Sequence, residues 1–315
     1  MKPYEVEFII QTIGSDKKEF CYFRDKYVLE LLKYHVNTNK GIEDLRKSNF
    51  AKFLEKVPVK QVLSNCGNGI LSKDDLDEYI PDGVFEFNYT ISKWGEYINH
   101  RKDPYFQTTR PGLSVVLQLN FDQWHNFQYH KWIKSHDADD DPFVVYCHPT
   151  LYSGEFTMAW CRLDFSLETG EVLIEEIQND WIREVKGLMK DLDRLNSSEA
   201  RQRHWFFAYY PVSDFMRYAE ILMDYYLIWD EAILSLALYF IKEEIGLDTI
   251  YYHDFESGNL LKGLGHSFPP RSLYTKLPKR FNFSLTDEAP KSLMQEKYLQ
   301  KLLRSHDLRW WVLNI

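Results

Sequence analysis

The chain has 315 residues, enough for one large domain or two modest ones, and 44% hydrophobic with 16% aromatic content supports a packed core and excludes extensive disorder. A formal net charge of −9 argues against nucleic-acid binding driven by overall charge, though it leaves a local basic patch open. Cys21, Cys66, Cys147 and Cys161 form no CxxC pair and read as free thiols of a reducing compartment; with no eighteen-residue apolar run and no leader-like start, a cytoplasmic protein without a membrane span is expected.

In chain order, Glu5–Thr12 suggests a short strand. Lys18–His35 carries Phe20, Phe23, Tyr27, Leu31 and Tyr34 at helical spacing, and Ile42–Leu54 repeats the pattern ahead of Pro58. Asn65–Gly69 is a turn cluster, and Ser72 with Asp75 has the pattern of a capped short helix. Pro81-Asp82-Gly83 is a turn, near which a boundary is expected between a mainly helical portion (1–80) and a mixed α/β domain (81–315). Val84–Ile91 and Ser114–Phe121 read as strands, with a polar loop, Asn99–Gly112, between them. His125, His130 and His136 invite a metal reading, but the five-residue gap between the first two puts their rings about 140° apart on a helix, so ordinary helix residues are expected. The acidic run Asp137–Asp141 lacks the glycine and distal glutamate of a calcium loop. Pro142–His148 reads as a further strand.

Two strands then flank a turn: Ala159–Phe165, Glu168-Thr169-Gly170, and Val172–Ile177. The second ends in a polar cluster, Glu175, Glu176, Gln178, Asn179 and Asp180, closed by Trp181, and strand ends are where folds display chemistry. Asp180 also has the chemistry of an N-cap for the next helix. After an aromatic run, Trp205–Tyr210, and an amphipathic segment to Tyr226, Trp229–Ile245 is the most apolar helix, stopped by Gly246. Asp248–His253 reads as a strand, which makes a strand-helix-strand crossover and predicts that it runs parallel to Val172–Ile177. Both polar clusters, Glu175–Asp180 and His253-Asp254, then fall at one sheet edge. Arg162 is expected to turn inward and pair with Glu176. Asp254–Gly265 is turn-rich, Leu273–Phe283 is basic and aromatic, Lys291–Ser305 is a terminal helix, and LRWWVLNI is a last buried strand.

LIEEIQNDW resembles the IEEIQSDW signature of a domain in phage and mobile-element polyvalent proteins. FTMAWCRLDFSLETGEVLIEEIQ resembles the "TLAWARID…EALIEEIQ" version in bacterial proteins. Trp229-Asp230-Glu231 through Ile250, and Tyr274–Lys279 beside "YDKILPK", extend the resemblance over Phe156–Phe283, under half the chain. That family carries no settled activity, so the resemblance marks a place rather than a chemistry.

The fold class expected is α+β, with a mixed sheet holding the hairpin and the crossover. It is similar to the core of GNAT-type acyltransferases: hairpin, long helix, strand, helix, closing segment. That resemblance implies acetyl-CoA as donor, Glu176 as general base, Tyr274 as the acid that protonates the thiolate, and Arg271 and Lys276 as cofactor-binding. Gln178, Asp180, Arg162 and His253 complete the candidate site. The glycine-rich phosphate loop of such enzymes has no counterpart in Asp224–Trp229, which contains no glycine. A second reading is a metal-dependent nuclease or phosphodiesterase, with Asp164 and Glu176-Ile177-Gln178 holding a divalent metal and Arg271, Lys276, Lys279 and Arg280 meeting phosphates. A third is a non-catalytic binding or structural domain with Trp181 and Trp229 as core anchors.

Overall fold

The computed structural model describes residues 1–14, 16–36, 38–79, 81–95, 107–137, 139–265 and 268–315. The protein is α+β, built on a mixed sheet of nine strands. Eight of them are β1 Lys18–Tyr22, β2 Phe85–Trp94, β3 Ser114–Asn120, β4 Glu155–Ser166, β5 Glu171–Gln178, β6 Thr249–His253, β7 Ser284–Thr286 and β8 Trp310–Asn314. The ninth, Leu151–Tyr152, pairs with β4. The spatial order is β1-β2-β3-β4-β5-β6-β8-β7. Every neighbouring pair is antiparallel except β5 and β6, which run parallel as the glycine-stopped helix between them predicts. Gly170 turns the hairpin at φ 69°, a conformation that costs a side-chain-bearing residue energy.

Helices cover the sheet. Among them are α1 Pro3–Ile13, α2 Lys26–Val36, α3 Asp180–Arg194, α4 Val212–Tyr226, α5 Trp229–Tyr239, α6 Phe255–Lys262 and α7 Arg271–Arg280. The run Ala232–Leu238 of α5 is buried throughout, and α5 continues as a wider turn to Ile245 before Gly246 stops it at φ 79°. One continuous core cluster includes side chains from both sides of residue 81, Val6, Tyr27 and Leu31 with Ile174 and Ile233, and β1 pairs with β2. Among the described residues no helix is long and apolar enough to cross a membrane.

Several sequence expectations are corrected. Glu5–Thr12 is not a strand but part of α1: Pro3 opens the helix, the Glu5 carboxylate accepts from the Lys2 N–H at 2.7 Å, and the buried pair Val6 and Ile9 has helical spacing. The helix expected over Lys18–His35 splits into β1, where Phe20 and Tyr22 alternate into the core, and α2, with Asp25 at φ 64° between them. Ile42–Leu54 is interrupted where the Ser48 hydroxyl donates to the Leu45 carbonyl and accepts from the Phe50 N–H, leaving short helices Ile42–Arg46 and Ala51–Phe53. Asp254–Gly265 holds α6, ended by Gly263. Lys291–Ser305 is two short helices rather than one. The loop expected over Asn99–Gly112 lies outside the described residues as far as 106.

Candidate functional site

The parallel pair does not stay together. β5 and β6 are in register only from Glu171 opposite Thr249 to Ile174 opposite Tyr252. At that point β5 carries a bulge: Leu163 of β4 faces Ile174, the next residue Arg162 faces Glu176, and Glu175 has no partner. A bulge bends its strand and re-aims the side chains beyond it. It sends the two glutamates to different places and leaves the β6-facing backbone edge of Glu175–Gln178, among the described residues, without a strand partner.

Glu175 turns into a sealed network. Its carboxylate accepts from the Thr109 N–H (3.0 Å) and hydroxyl (2.8 Å), and His253 Nε2 lies 3.2 Å from it and 2.8 Å from the Thr109 hydroxyl. The Lys262 ammonium donates to the Glu175 carbonyl at 2.9 Å. Burial alone would raise the Glu175 pKa. The His253 hydrogen bond and the charges of His253, Lys262 and Arg162 outweigh it and hold the carboxylate at about 2. Burial pushes His253 the other way, below its ordinary value, against the pull of Glu175.

Glu176 lies on the open side and pairs with Arg162, whose guanidinium also donates to the Gln107 carbonyl and lies 5.2 Å from the Trp94 ring centroid. The inward Arg162 and its pairing with Glu176 agree with the sequence expectation. A cleft of about 1510 Å³ opens here, with Glu176, Gln178 and Trp160 from the sheet on one side and α3 beside them. The start of α5 and the segment leading into α7 complete it.

Asp180 does not cap α3 with its side chain. Asn179 does, accepting from the Ile182 N–H at 2.8 Å. Asp180 instead collects donors: Trp160 Nε1 at 2.8 Å on one oxygen, and Gln178, Arg183 and His148 Nδ1 (3.0 Å) on the other. Burial would raise its pKa, but the bonds from His148 and Trp160 and the Arg183 charge hold it below the usual range. An ionised carboxylate only accepts, so the hydrogen between them is on His148 Nδ1. Nε2 has no hydrogen-bond partner among the described residues, and the ring lines the cleft.

His148 was missed as a site residue because Pro142–His148 reads as a strand. It is a tied turn instead. The Thr150 hydroxyl accepts from the Val145 N–H and donates to the Val145 carbonyl, and Gln118 donates to the Pro149 carbonyl at 3.1 Å. On α3, Arg183, Lys186 and Lys190 recur at spacings of three and four, which places them on one helix face, and all line the cleft. Lys186 and Lys190 have no carboxylate partner among the described residues; Lys186 lies 3.7 Å from the Tyr226 ring centroid. In a chain of net charge −9, this stripe is a local anion-attracting surface.

The other expected residues lie elsewhere. His253 shares the sheet edge with Gln178 but joins the Glu175 network, off the cleft. Tyr274 is buried, with no hydrogen-bond partner for its hydroxyl among the described residues. Arg271 pairs with Glu256 in solvent and Lys276 is exposed; neither lines the cleft. Arg280 does, paired with Asp230. Asp164 is bound by Arg110 and the Met1 amine, and Glu176 by Arg162, so the two carboxylates of the metal reading are each committed to cations. Among the described residues no three His, Cys, Asp or Glu side chains are grouped as a metal site. Comparison of the chain with protein-family models, with curated proteins and with solved structures gives no match.

Proposed function

We propose that the cleft is the active site of an acyl-transfer enzyme that takes acetyl-CoA as donor. The observation that carries this reading is the parting of β5 from β6 at the Glu175 bulge, because it leaves the strand edge beyond Glu175, among the described residues, without a strand partner inside a cleft. An extended ligand bearing amides hydrogen-bonds such an edge as an added strand does. The basic face of α3 beside it suits the phosphates of the donor. Side-chain cations, rather than the backbone amides of a glycine-rich loop, hold them here. The helix after the hairpin is α3, not the Trp229 helix, and its first turn already has Asn179 and Asp180 at the place such a loop would occupy.

The base in this reading is His148 instead of Glu176, which its arginine keeps occupied. His148 Nε2 takes the proton of the acceptor nucleophile as that atom bonds to the acyl carbon. The thioester C–S bond breaks, and the leaving thiolate recovers the proton. Asp180 fixes the tautomer and stabilises the imidazolium between the two transfers.

Calorimetric titration with acetyl-CoA tests the reading. Micromolar binding is expected, weakened at least tenfold by Lys186→Glu with Lys190→Glu, both on the cleft-lining face of α3. Absence of heat at millimolar ligand overturns it.

A further inference from the structure

A second, smaller pocket of about 630 Å³ lies on the other side of His148. Trp94, Cys147 and His148 line both spaces, so the imidazole stands at their junction. A base reachable from two pockets is the arrangement a two-substrate transfer needs: each ligand enters by its own mouth and they meet at the proton acceptor. We propose that this pocket binds the acyl acceptor, and that the acceptor is an aromatic primary amine. This rests on the acyl-transfer reading.

The lining argues for the ligand class. Trp94, Tyr146 and Tyr152 supply aromatic walls, and Tyr146 is 81% exposed, a large apolar ring left uncovered on the rim. Ile10, Ile91 and Leu151 extend the apolar surface. A flat ring fits this better than a sugar or a polyphosphate does. The acid in the lining is Glu7 on α1, one helical turn from Gln11, and it has no ion-pair partner among the described residues. Lys93 borders the pocket on β2, but it stands between Ser92 and Trp94 in a regular register, so its side chain leaves the sheet on the face opposite theirs. An acid would leave Glu7 opposing it. An amine answers it, with the amino end toward Glu7 and the imidazole.

The inner wall is rigid where it needs to be. Gln118 accepts from the Ser92 hydroxyl at 2.6 Å and donates to the Pro149 carbonyl and, at 3.0 Å, to the Thr157 hydroxyl. It thus ties β2, β3 and β4 to the turn that carries His148. The nucleophile is the amine: the bound ammonium first loses a proton to solvent by way of His148 Nε2, the neutral amine gives a second to Nε2 as its nitrogen bonds to the acyl carbon, the C–S bond of the donor breaks, and the leaving thiolate takes that second proton from the imidazolium.

The test is calorimetry of the full chain with L-phenylalanine, 2-phenylethylamine and 3-phenylpropionate, each with and without acetyl-CoA. 2-Phenylethylamine is expected to bind at least tenfold more tightly than 3-phenylpropionate, with L-phenylalanine, which carries both groups, between them. Glu7→Gln is expected to erase the preference for the amine over the acid. The substitution is on an exposed side chain, so folding is retained and is checked by circular dichroism. Equal binding of all three ligands, or of none, overturns the proposal. If acetyl-CoA binds while no aromatic ligand does, only the acceptor assignment fails; if acetyl-CoA also fails to bind, the acyl-transfer reading fails with it.

Discussion

The protein holds two imidazole–carboxylate pairs near one sheet edge, and they are opposites. Glu175 with His253 is sealed: both side chains are at most 1% exposed, and the ring meets Thr109, Glu175 and the backbone of Gly258. Asp180 with His148 is half open: the carboxylate is fully buried, while the imidazole is 27% exposed and lines two pockets. Chemistry needs a proton to arrive and leave. The sealed pair ties the bulge to Thr109 and β6, and the open pair is the one the proposed reaction uses to exchange protons.

The largest effect that would sharpen this contrast is on stability. Glu175→Ala strands the Thr109 N–H, its hydroxyl and His253 in the interior, and a loss of about 3–5 kcal/mol is expected by chemical denaturation. The intact pair also predicts a pH dependence. Because Glu175 in the folded protein sits at about 2, below its ordinary 4.5, the unfolded chain takes up the proton first as pH falls. Stability from this group is complete above about pH 4.5 and is lost toward pH 2, amounting to about 3 kcal/mol. His253, pushed down by burial, changes stability in the same direction from higher pH. A Glu175→Gln protein should show a flatter acid limb; an unchanged limb would mean that the sealed pair does not govern it.

A smaller effect tests the seal itself. Gly258 lies within α6, where alanine would ordinarily stabilise. A Cβ there would sit 2.9 Å from the His253 Cβ and 3.1 Å from its Cγ. With the ring held by Thr109 and Glu175, overpacking outweighs helix propensity, and Gly258→Ala should cost about 1–3 kcal/mol by thermal denaturation. A neutral or stabilising result would show that the ring has room to move and that the pair is not sealed.

The sequence made legible what local pattern controls. The Glu168–Gly170 turn sets the hairpin, the run Ala232–Leu238 marks the buried helix, and Gly246 ahead of a β-rich stretch gives the parallel pairing of β5 and β6. It also located the polar cluster, since Glu176, Gln178 and Asp180 do border or underlie the cleft. Three features escaped because they depend on distant partners. β1 looked helical because Phe20 and Tyr22 run directly into the periodic residues of α2, and only pairing with β2 separates them. The bulge at Glu175 breaks a period of two by a single residue, so adjacent glutamates go to different environments with no local mark. His148 lies in a turn fixed by Thr150 and by Gln118 of another strand, and the proposed base is recognised only once Asp180, thirty-two residues later, is seen beneath it.

The smallest expected stability effect is the most informative. His148→Ala removes a part-exposed ring whose one hydrogen-bonded nitrogen meets Asp180. That carboxylate keeps Trp160, Gln178 and Arg183 as donors, so no buried charge is stranded. Stability should therefore change by no more than about 1 kcal/mol. Acyl transfer, monitored by release of free thiol from acetyl-CoA, should fall by about 10²–10⁴-fold, the range for loss of a positioned general base. His253→Ala should do the reverse, destabilising the fold through the unpaired Glu175 while the rate per folded molecule changes little. If His148→Ala instead unfolds the protein, or leaves thiol release unchanged, the two pairs have the same structural role and the distinction between them fails.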